Sequence, residues 1–227
     1  MDLVRASRAE LVAARRGRRV TTPRPLGREL RSQFGDIDIY LFDQILRGRF
    51  DARATVLDAG CGDGRNLIYF LQHGFTCFGA DEDRTAIQLI QQAAARLAPQ
   101  LPSSNFAVAS IDRLPHADGS MEAVIASAVL HFARDEAHWT GMVQEMWRVL
   151  APNGLFFARL ASNIGLESIV GPAGRVVRLP DGSSRFVVDE SMLLGWTERL
   201  GGRLADPIKT TNVQQQRSMT TWCVIKT

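Results

Sequence analysis

The sequence predicts an α/β fold in which a doubly wound, mostly parallel β-sheet carries helices on both faces. Between about residues 54 and 160, short apolar runs of strand length alternate with longer segments whose apolar residues repeat every three to four positions. The last third of the chain differs, because a helical segment is followed by two strand-like runs that a polar stretch separates. These two runs predict an antiparallel C-terminal hairpin.

The elements follow in order along the chain. Pro99 marks the end of the most regular helical stripe, and the Pro152-Asn153-Gly154 turn marks the start of a strand. Helices are predicted over 36–48, 65–73, 84–97, 135–150 and 189–200. Strands are predicted over 54–59, 75–80, 105–109, 121–127, 155–160, 203–211 and 219–226. The Gly- and Pro-rich residues 162–188 are expected to form a loop or a small lid.

Composition sets limits on the class of protein. The 227 residues are enough for one domain with a sizeable core, and 45% of them are hydrophobic. Cys61, Cys77 and Cys223 are too scattered for a disulfide framework or a C-x-x-C site, so no metal site is predicted and a cytoplasmic location is expected. No apolar run approaches the roughly 18 residues of a membrane span, and no signal-peptide core follows the arginine-rich start.

Positive charge is concentrated at the start of the chain. Residues 1–31 contain nine arginines and three acidic residues, a balance of +6 within a total of +3. Such a segment could hold nucleic acid or an anionic membrane surface. A solvated terminus is the simpler interpretation, because arginine replaces lysine almost everywhere in this chain. We therefore expect residues 1–34 to form a flexible basic extension and residues 35–227 to form a single domain.

A glycine-rich loop joins the first predicted strand to the next helix and spans Asp58 to Asn66. Its glycines stand at alternate positions: Gly60, Gly62 and Gly64. Such a loop allows a sharp turn and a close approach to a ligand, and the following helix offers free N–H groups. Arg65 breaks the G-x-G-x-x-G dinucleotide pattern, and no Gly-Lys-Ser/Thr follows, so neither dinucleotide nor Walker-type binding is predicted. A plain tight turn is the alternative.

Asp81 follows the second predicted strand, about 20 residues after the glycine loop. In doubly wound folds an acidic side chain at this point accepts hydrogen bonds from ribose hydroxyls. A carboxylate suits a diol, because each oxygen can accept one O–H. Glu82 and Asp83 are adjacent alternatives, and a solvated acidic loop is the non-functional interpretation.

Four segments between about residues 50 and 160 follow one another in an informative order. They are Leu57–Gly64, Gly79-Ala80-Asp81, Leu114-Pro115 followed by Asp118–Glu122, and Arg148–Leu155. Together they resemble the class I S-adenosylmethionine-dependent methyltransferases. The resemblance implies a Rossmann-like sheet of seven strands with the last one antiparallel. It also implies an enzyme that uses S-adenosylmethionine and releases S-adenosylhomocysteine.

The resemblance assigns roles to the loop residues. Gly60, Gly62 and Gly64 would pack against the methionine part of the cofactor, and Asp58 would help to hold the loop and the cofactor's amino group. Asp81 would bind the ribose. The remaining predicted cofactor contacts are Cys61, Arg65, Asn66, Glu82 and Ser127.

The adenine contact departs from the family pattern. The family usually has an acidic residue four positions before the Leu-Pro pair, whereas this chain has Ser110 there. Asp112 lies two residues further on and could replace it, and the Ile111 backbone N–H could reach the ring. The departure affects this contact and leaves the class of protein unchanged.

The acceptor is expected to meet the methyl group after the fourth strand, over Ser127 to Phe132. His131 is the candidate general base there, because an unperturbed imidazole titrates near neutrality. A histidine that packs or caps the next helix is the alternative. The candidates for shaping the acceptor site are Arg159, Asn163, Arg217 and Trp222, and an ordinary surface or core position is the alternative for each of them.

Three functions remain open from the sequence. The first is a methyltransferase that acts on a small molecule, because the fold uses nearly the whole chain. The second is a nucleic-acid or protein methyltransferase that uses the basic extension. The third is a non-catalytic protein that binds the cofactor to regulate a partner. The oligomeric state is not predicted.

Overall fold

The computed structural model describes residues 26–170 and 174–227. Its helices are α1 (Leu26–Phe34), α2 (Ile39–Leu46), α3 (Ile68–Gln72), α4 (Arg84–Leu97), α5 (Glu136–Val149) and α6 (Glu190–Arg199). Its strands are β1 (Thr55–Ala59), β2 (Thr76–Asp81), β3 (Phe106–Val108), β4 (Met121–Ser127), β5 (Leu150–Ala161), β6 (Val176–Arg178), β7 (Ser184–Phe186), β8 (Gly202–Leu204), β9 (Lys209–Val213) and β10 (Arg217–Lys226). Short 3₁₀ turns cover Ser103–Asn105 and Leu130–Phe132.

The main sheet has the order β3-β2-β1-β4-β5-β10-β8, and β9 also pairs with β10. Strands β1 to β5 are parallel to one another, and β10 is antiparallel to β5, β8 and β9. This confirms the predicted fold class, a mostly parallel sheet with an antiparallel C-terminal hairpin.

The strand predicted over 203–211 is interrupted in the structure. Strand β8 pairs with the end of β10 and β9 pairs with its beginning, so the two lie in succession along one edge. Pro207 lies in the interruption and has no N–H to contribute to the ladder. The eight strands of this sheet therefore occupy seven positions, the number that the resemblance implied.

Helices α2, α4, α5 and α6 lie where the sequence predicts helices, and each begins at an aspartate cap. In α4, the Asp83 carboxylate accepts the Thr85 N–H at 2.7 Å. The prediction of a helix over 65–73 was wrong at its start, because α3 begins only at Ile68. Before it the chain makes a tighter turn in which Leu67 N–H bonds to the Gly64 carbonyl at 2.8 Å. The glycine loop therefore does not lead directly into a helix.

Apolar side chains pack on both faces of the sheet, as a buried parallel sheet requires. Neighbouring residues of β5 show this, because Phe156 packs on one face with Trp139 and Trp222, and Phe157 packs on the other with Phe70. All of these side chains are buried. The two clusters hold the strands rigidly, so the carboxyl ends of β1, β2 and β4 are fixed relative to one another.

The described residues of the segment 162–188 are more structured than a loop. Strands β6 and β7 pair as an antiparallel hairpin, and Leu166, Leu179 and Val187 form a small apolar core beneath it. Ser162 also bridges to Val188, which ties the two ends of the segment together. The sequence missed this hairpin. That the segment acts as a lid stays a prediction.

Helix α1 lies within the stretch that was predicted as an extension. Its last residue, Phe34, contacts the rings of Phe42 and Tyr69 at centroid distances of 4.6 and 5.2 Å. Residues 1–25 lie outside the described residues, so the flexibility of the extension stays a prediction. Within the part of the chain that the structure describes, no helix combines the length and the apolar character needed to cross a membrane.

Candidate active site

The glycine loop turns over the carboxyl end of β2. The Gly60 and Cys61 N–H groups both bond to the Ala80 carbonyl, at 2.7 and 3.1 Å. Gly60 has a φ of 77°, and a Cβ atom there would lie 2.4 Å from Cγ2 of Val129. Only glycine can therefore combine this backbone conformation with this close contact.

Asp81 is held in a fixed orientation at the end of β2. Its Oδ2 accepts the Gly62 N–H at 2.8 Å and its Oδ1 accepts the Asp83 N–H at 2.9 Å. An ionised carboxylate has about four acceptor positions, so both oxygens can still accept a further donor. The loop thus orients the carboxylate that the sequence assigned to ribose binding.

A cavity of about 370 Å³ lies in front of this carboxylate. It is lined by Gly60, Asp81, Glu82, Ser110, Ile111, Ala128, Val129, Phe132, Arg134, His138 and Met142. The first five of these residues were predicted as cofactor contacts. The other six were not, although they follow the carboxyl end of β4, where ligands bind in folds of this kind.

Asp112 was proposed as a substitute adenine contact, but it does not line the cavity. It lies beside His138, whose Nε2 is 3.8 Å from the Asp112 carboxylate. The other ring nitrogen of His138 accepts the Arg134 N–H at 3.2 Å, so in the neutral ring Nε2 carries the proton. The His138 imidazole, which the sequence reasoning missed, lies in the wall of the cavity, as does Ser110.

Asp58 is completely buried beneath the loop. Within the described residues, neither of its carboxylate oxygens makes a hydrogen bond. Burial raises the pKa of Asp58 to about 7, an effect that the nearby Asn66 and Arg65 side chains partly oppose. A buried carboxylate in this state favours a nearby cation or N–H donor.

Other predicted cofactor contacts belong to a polar network next to the cavity. Its centre is the buried Asp38, which the sequence reasoning missed. Oδ2 of Asp38 accepts the Ser127 hydroxyl at 2.9 Å and Nη1 of Arg159 at 3.1 Å. The Asp38 N–H bonds to the Asn66 side chain at 3.1 Å, and Nη2 of Arg65 lies 3.4 Å from the Ser127 hydroxyl. Arg65, Asn66 and Ser127 are therefore gathered around Asp38.

The remaining loop residues shape the backbone. Cys61 is buried against β2, burial raises the pKa of its thiol, and a Cβ on Gly79 would lie 2.9 Å from the sulfur. A Cβ on Gly64 would lie 2.1 Å from Cδ1 of Ile90. The Cβ position of Gly62 has no neighbour within 4 Å, so this part of the loop is open.

A second cavity, of about 230 Å³, adjoins the first. It is lined by Ala128, His131, Arg159, Ala161, Leu179, Asp181, Ser183, Arg185, Arg217 and Met219. Ala128 lies in the wall of both cavities and has a φ of 62°, a conformation that is strained for a residue with a side chain. The two cavities therefore meet at the residue that follows β4, where the sequence predicted the acceptor.

His131 lies in the wall of the second cavity and is buried. Burial, together with Arg185 and Arg159, lowers the pKa of His131 to about 4. The imidazole is therefore neutral at pH 7, and its Nδ1 makes no hydrogen bond within the described residues.

The glycine loop and Asp81 lie at the carboxyl edge of the parallel sheet, where ligands bind in doubly wound folds. Residues 56–154 match the family model described as a methyltransferase domain. This matched segment is thus a methyltransferase domain, and it is similar to S-adenosylmethionine-dependent enzymes of class I.

Curated relatives and solved structures agree with this assignment. The chain is 36% identical over 97 residues to the 2-heptyl-1-hydroxyquinolin-4(1H)-one methyltransferase of Mycobacteroides abscessus, covering 43% of this chain and 41% of the relative. It is 31% identical over 150 residues to the malonyl-[acyl-carrier protein] O-methyltransferase of Enterobacter lignolyticus, covering 65% of this chain and 55% of the relative. The matches thus span about half the length of these relatives.

Among solved structures, the fold resembles the 1,6-didemethyltoxoflavin-N1-methyltransferase of Burkholderia thailandensis, crystallised with 1,6-didemethyltoxoflavin and S-adenosylhomocysteine. The TM-score is 0.65 at 18% identity, and the match covers 100% of this chain and 93% of that one. At 18% identity, this similarity shows the fold alone.

Proposed function

We propose that this protein transfers a methyl group from S-adenosylmethionine to a small-molecule acceptor. The observation that carries the proposal is the Asp81 carboxylate, which the Gly62 and Asp83 N–H groups orient at the wall of the first cavity. A ribose diol suits a carboxylate fixed in this way, because each oxygen can accept one hydroxyl.

The residues of the first cavity fit this cofactor. Its volume of about 370 Å³ falls in the range of about 300–1,000 Å³ that is usual for cofactor sites. Asp81 suits the ribose, and the unpartnered Asp58 carboxylate beneath the loop suits the positive charge of the cofactor's amino-acid end. When bound, S-adenosylmethionine supplies a methyl group that its positively charged sulfur has already activated.

The protein's own residues then serve mainly to position the acceptor. The second cavity meets the first at Ala128, so an acceptor in it lies next to the end of the cofactor site. Holding the two molecules in neighbouring cavities favours an in-line approach, and such positioning can supply a large part of the rate of a transfer between two bound molecules. With a pKa of about 4, His131 can accept a hydrogen bond from the acceptor but is a weak general base at pH 7.

A small acceptor is favoured by the second cavity, whose volume of about 230 Å³ is enough for a small molecule. The names of one relative and one structural neighbour agree, because a heptyl-hydroxyquinolinone and a didemethyltoxoflavin are both small molecules. The basic extension supports the alternative of a polymeric acceptor only by its charge, and most of it lies outside the described residues.

Replacing Asp81 with asparagine tests the cofactor assignment. Asp81→Asn keeps one oxygen but loses the charge, so binding of S-adenosylmethionine and S-adenosylhomocysteine should weaken by about 1–3 kcal/mol. Isothermal titration calorimetry with both compounds and with NAD measures the change. The wild-type chain should bind the two sulfur nucleosides and should not bind NAD.

A matched control separates the specific effect from the loss of one charge. Asp63 lies exposed in the same loop, so Asp63→Asn should leave both affinities unchanged. Equal affinities for Asp81→Asn and the wild type would mean that the ribose assignment is wrong. Failure of the wild-type chain to bind either sulfur nucleoside at millimolar concentration would overturn the proposed function as a whole.

A further inference from the structure

The wall of the second cavity is rich in arginine. Arg159 comes from β5, Arg185 from β7 and Arg217 from β10, so three separate strands each contribute one guanidinium group. The sequence places these residues 26 or more positions apart, and only the fold brings them to one cavity. Three cations around one cavity attract an anion.

Among the described residues, the cavity has too few anions to balance these cations. Asp181 is the one carboxylate that these residues place in its wall, and its Oδ1 already accepts the Ser183 N–H at 2.9 Å and the Ser183 hydroxyl at 2.6 Å. Asp38 is paired with Arg159. With both carboxylates counted, the described residues leave one positive charge unbalanced.

Two of the three arginines are available to a ligand. Within the part of the chain that the structure describes, neither Arg185 nor Arg217 forms an ion pair with a carboxylate. Arg185 instead stacks over Phe132, with its guanidinium carbon 4.9 Å from the ring centroid, and its Nη1 donates to the Ser184 carbonyl at 2.7 Å. Nε of Arg159 is buried and makes no hydrogen bond within the same residues. Arginine N–H donors are therefore present in the cavity wall without carboxylate acceptors among the described residues.

The rest of the cavity wall is apolar or neutral. Ala128, Ala161, Leu179 and Met219 offer a surface for a carbon skeleton. His131 adds no charge at pH 7, because burial and the neighbouring arginines keep its pKa near 4. A ligand that matches this wall has an apolar body and one acidic end.

We propose that the second cavity binds an acceptor that carries an oxyanion, either a carboxylate or a phosphate, held by Arg185 and Arg217 with Arg159 beside them. This inference rests on the proposed function, since it assigns the chemical class of the acceptor for the same site. A planar guanidinium pairs with either oxyanion through two parallel hydrogen bonds and thereby fixes its orientation. The arginines would thus position the acceptor relative to Ala128 and the first cavity.

The test uses the full chain and six probes in two matched sets. The first set is benzoate, phenyl phosphate and benzamide, and the second is octanoate, octyl phosphate and octanamide. Binding is followed by saturation-transfer NMR in low-chloride buffer, with and without S-adenosylhomocysteine. In at least one set an anion should bind about fivefold or more tightly than its neutral amide. The tighter of the two anions identifies the carboxylate or the phosphate as the group recognised.

Arginine variants show whether the binding uses this cavity. Arg185→Gln and Arg217→Gln should each weaken binding of the anionic probe by roughly tenfold. Arg178 is exposed in β6, on the same hairpin as Arg185, and does not line the cavity. Arg178→Gln is therefore the matched control, and it should bind the anionic probe like the wild type.

Three results would overturn the inference. They are amides that bind as tightly as the anions, anion binding that survives both arginine substitutions, and no binding of any probe at millimolar concentration. S-adenosylhomocysteine is titrated into the same samples. If it binds while the anions fail, only this inference is wrong, and if it does not bind, the proposed function fails first.

Discussion

At the scale of single residues, burial shifts the pKa values of two ionisable groups of the site in opposite directions. It raises the pKa of Asp58 to about 7 and lowers the pKa of His131 to about 4. Burial is the largest cause of both shifts, because a poorly solvated site disfavours whichever form is charged. At pH 7 His131 is therefore neutral and Asp58 is about half ionised, and the positive charge of the site comes from the arginines.

Asp58→Asn should flatten the pH dependence of stability. The folded chain holds the Asp58 proton more tightly than the unfolded chain does, because burial raises the pKa from 3.8 to about 7. The stabilisation that comes from this tighter proton binding is fully present below the unfolded pKa. It is lost as the pH rises toward 7, and the free energy of unfolding then falls by roughly 1.4 kcal/mol per pH unit. Urea unfolding of the ligand-free chain at several pH values between about 4 and 8 measures it.

The exposed Asp63 again supplies the control, since Asp63→Asn should follow the wild-type pH profile. Parallel profiles for Asp58→Asn and the wild type would show that this carboxyl has an ordinary pKa.

Residues that follow a predicted strand could be found from the sequence, and residues that meet across the fold could not. Asp58 and Asp81 stand at fixed places in a β-strand and loop pattern, so their positions were predictable. The bonds from Asp38 to Ser127 and to Arg159 join residues 89 and 121 positions apart, and no local pattern marks them. For the same reason the three arginines of the second cavity were not predicted as a group.

At the scale of elements, the length of a helix or strand determines whether its apolar periodicity can be recognised in the sequence. Helix α4 has 14 residues, enough for four turns of one apolar stripe, and it lies where it was predicted. Strands β6 and β7 have three residues each, too few for an alternation to be recognised. Helix α3 was predicted too long because the tight turn after Gly64 continues the same apolar pattern.

Two alanine substitutions in the glycine loop should separate backbone strain from close contact. At Gly62 the added Cβ meets nothing within 4 Å, so Gly62→Ala should cost only the left-handed backbone penalty of about 1–2 kcal/mol. At Gly60 the Cβ would lie 2.9 Å from Cβ of the stiff Val129, so Gly60→Ala should cost about 1–3 kcal/mol more. Denaturant unfolding of the ligand-free variants gives both values. Equal losses would show that Val129 moves aside freely.

At the scale of the whole molecule, the described part of the chain begins with α1. A chain that lacks residues 1–25 should keep the wild-type unfolding free energy and its affinity for S-adenosylhomocysteine. Removal of residues 1–34 also deletes Phe34, which packs on Phe42 and Tyr69, and should cost about 1.5–3 kcal/mol. Denaturant unfolding of the two shortened chains makes the comparison.

The shorter deletion also tests the alternative of a polymeric acceptor. If the chain without residues 1–25 lost transfer to nucleic acid or protein, and lost it more steeply at low salt, the basic extension would be a recognition element. Unchanged transfer to a small molecule by the same chain would support the proposed function.

The arginine-rich wall of the second cavity has a consequence for how the acceptor preference of such a protein can change. Arg159, Arg185 and Arg217 all lie beyond the segment 56–154 that matches the methyltransferase family, whereas the glycine loop and Asp81 lie inside it. The parts that would hold the methyl donor and most of those that would choose its recipient are thus encoded in separate stretches of the chain. Exchanging the C-terminal third between related proteins would then alter selectivity while the donor machinery stays intact.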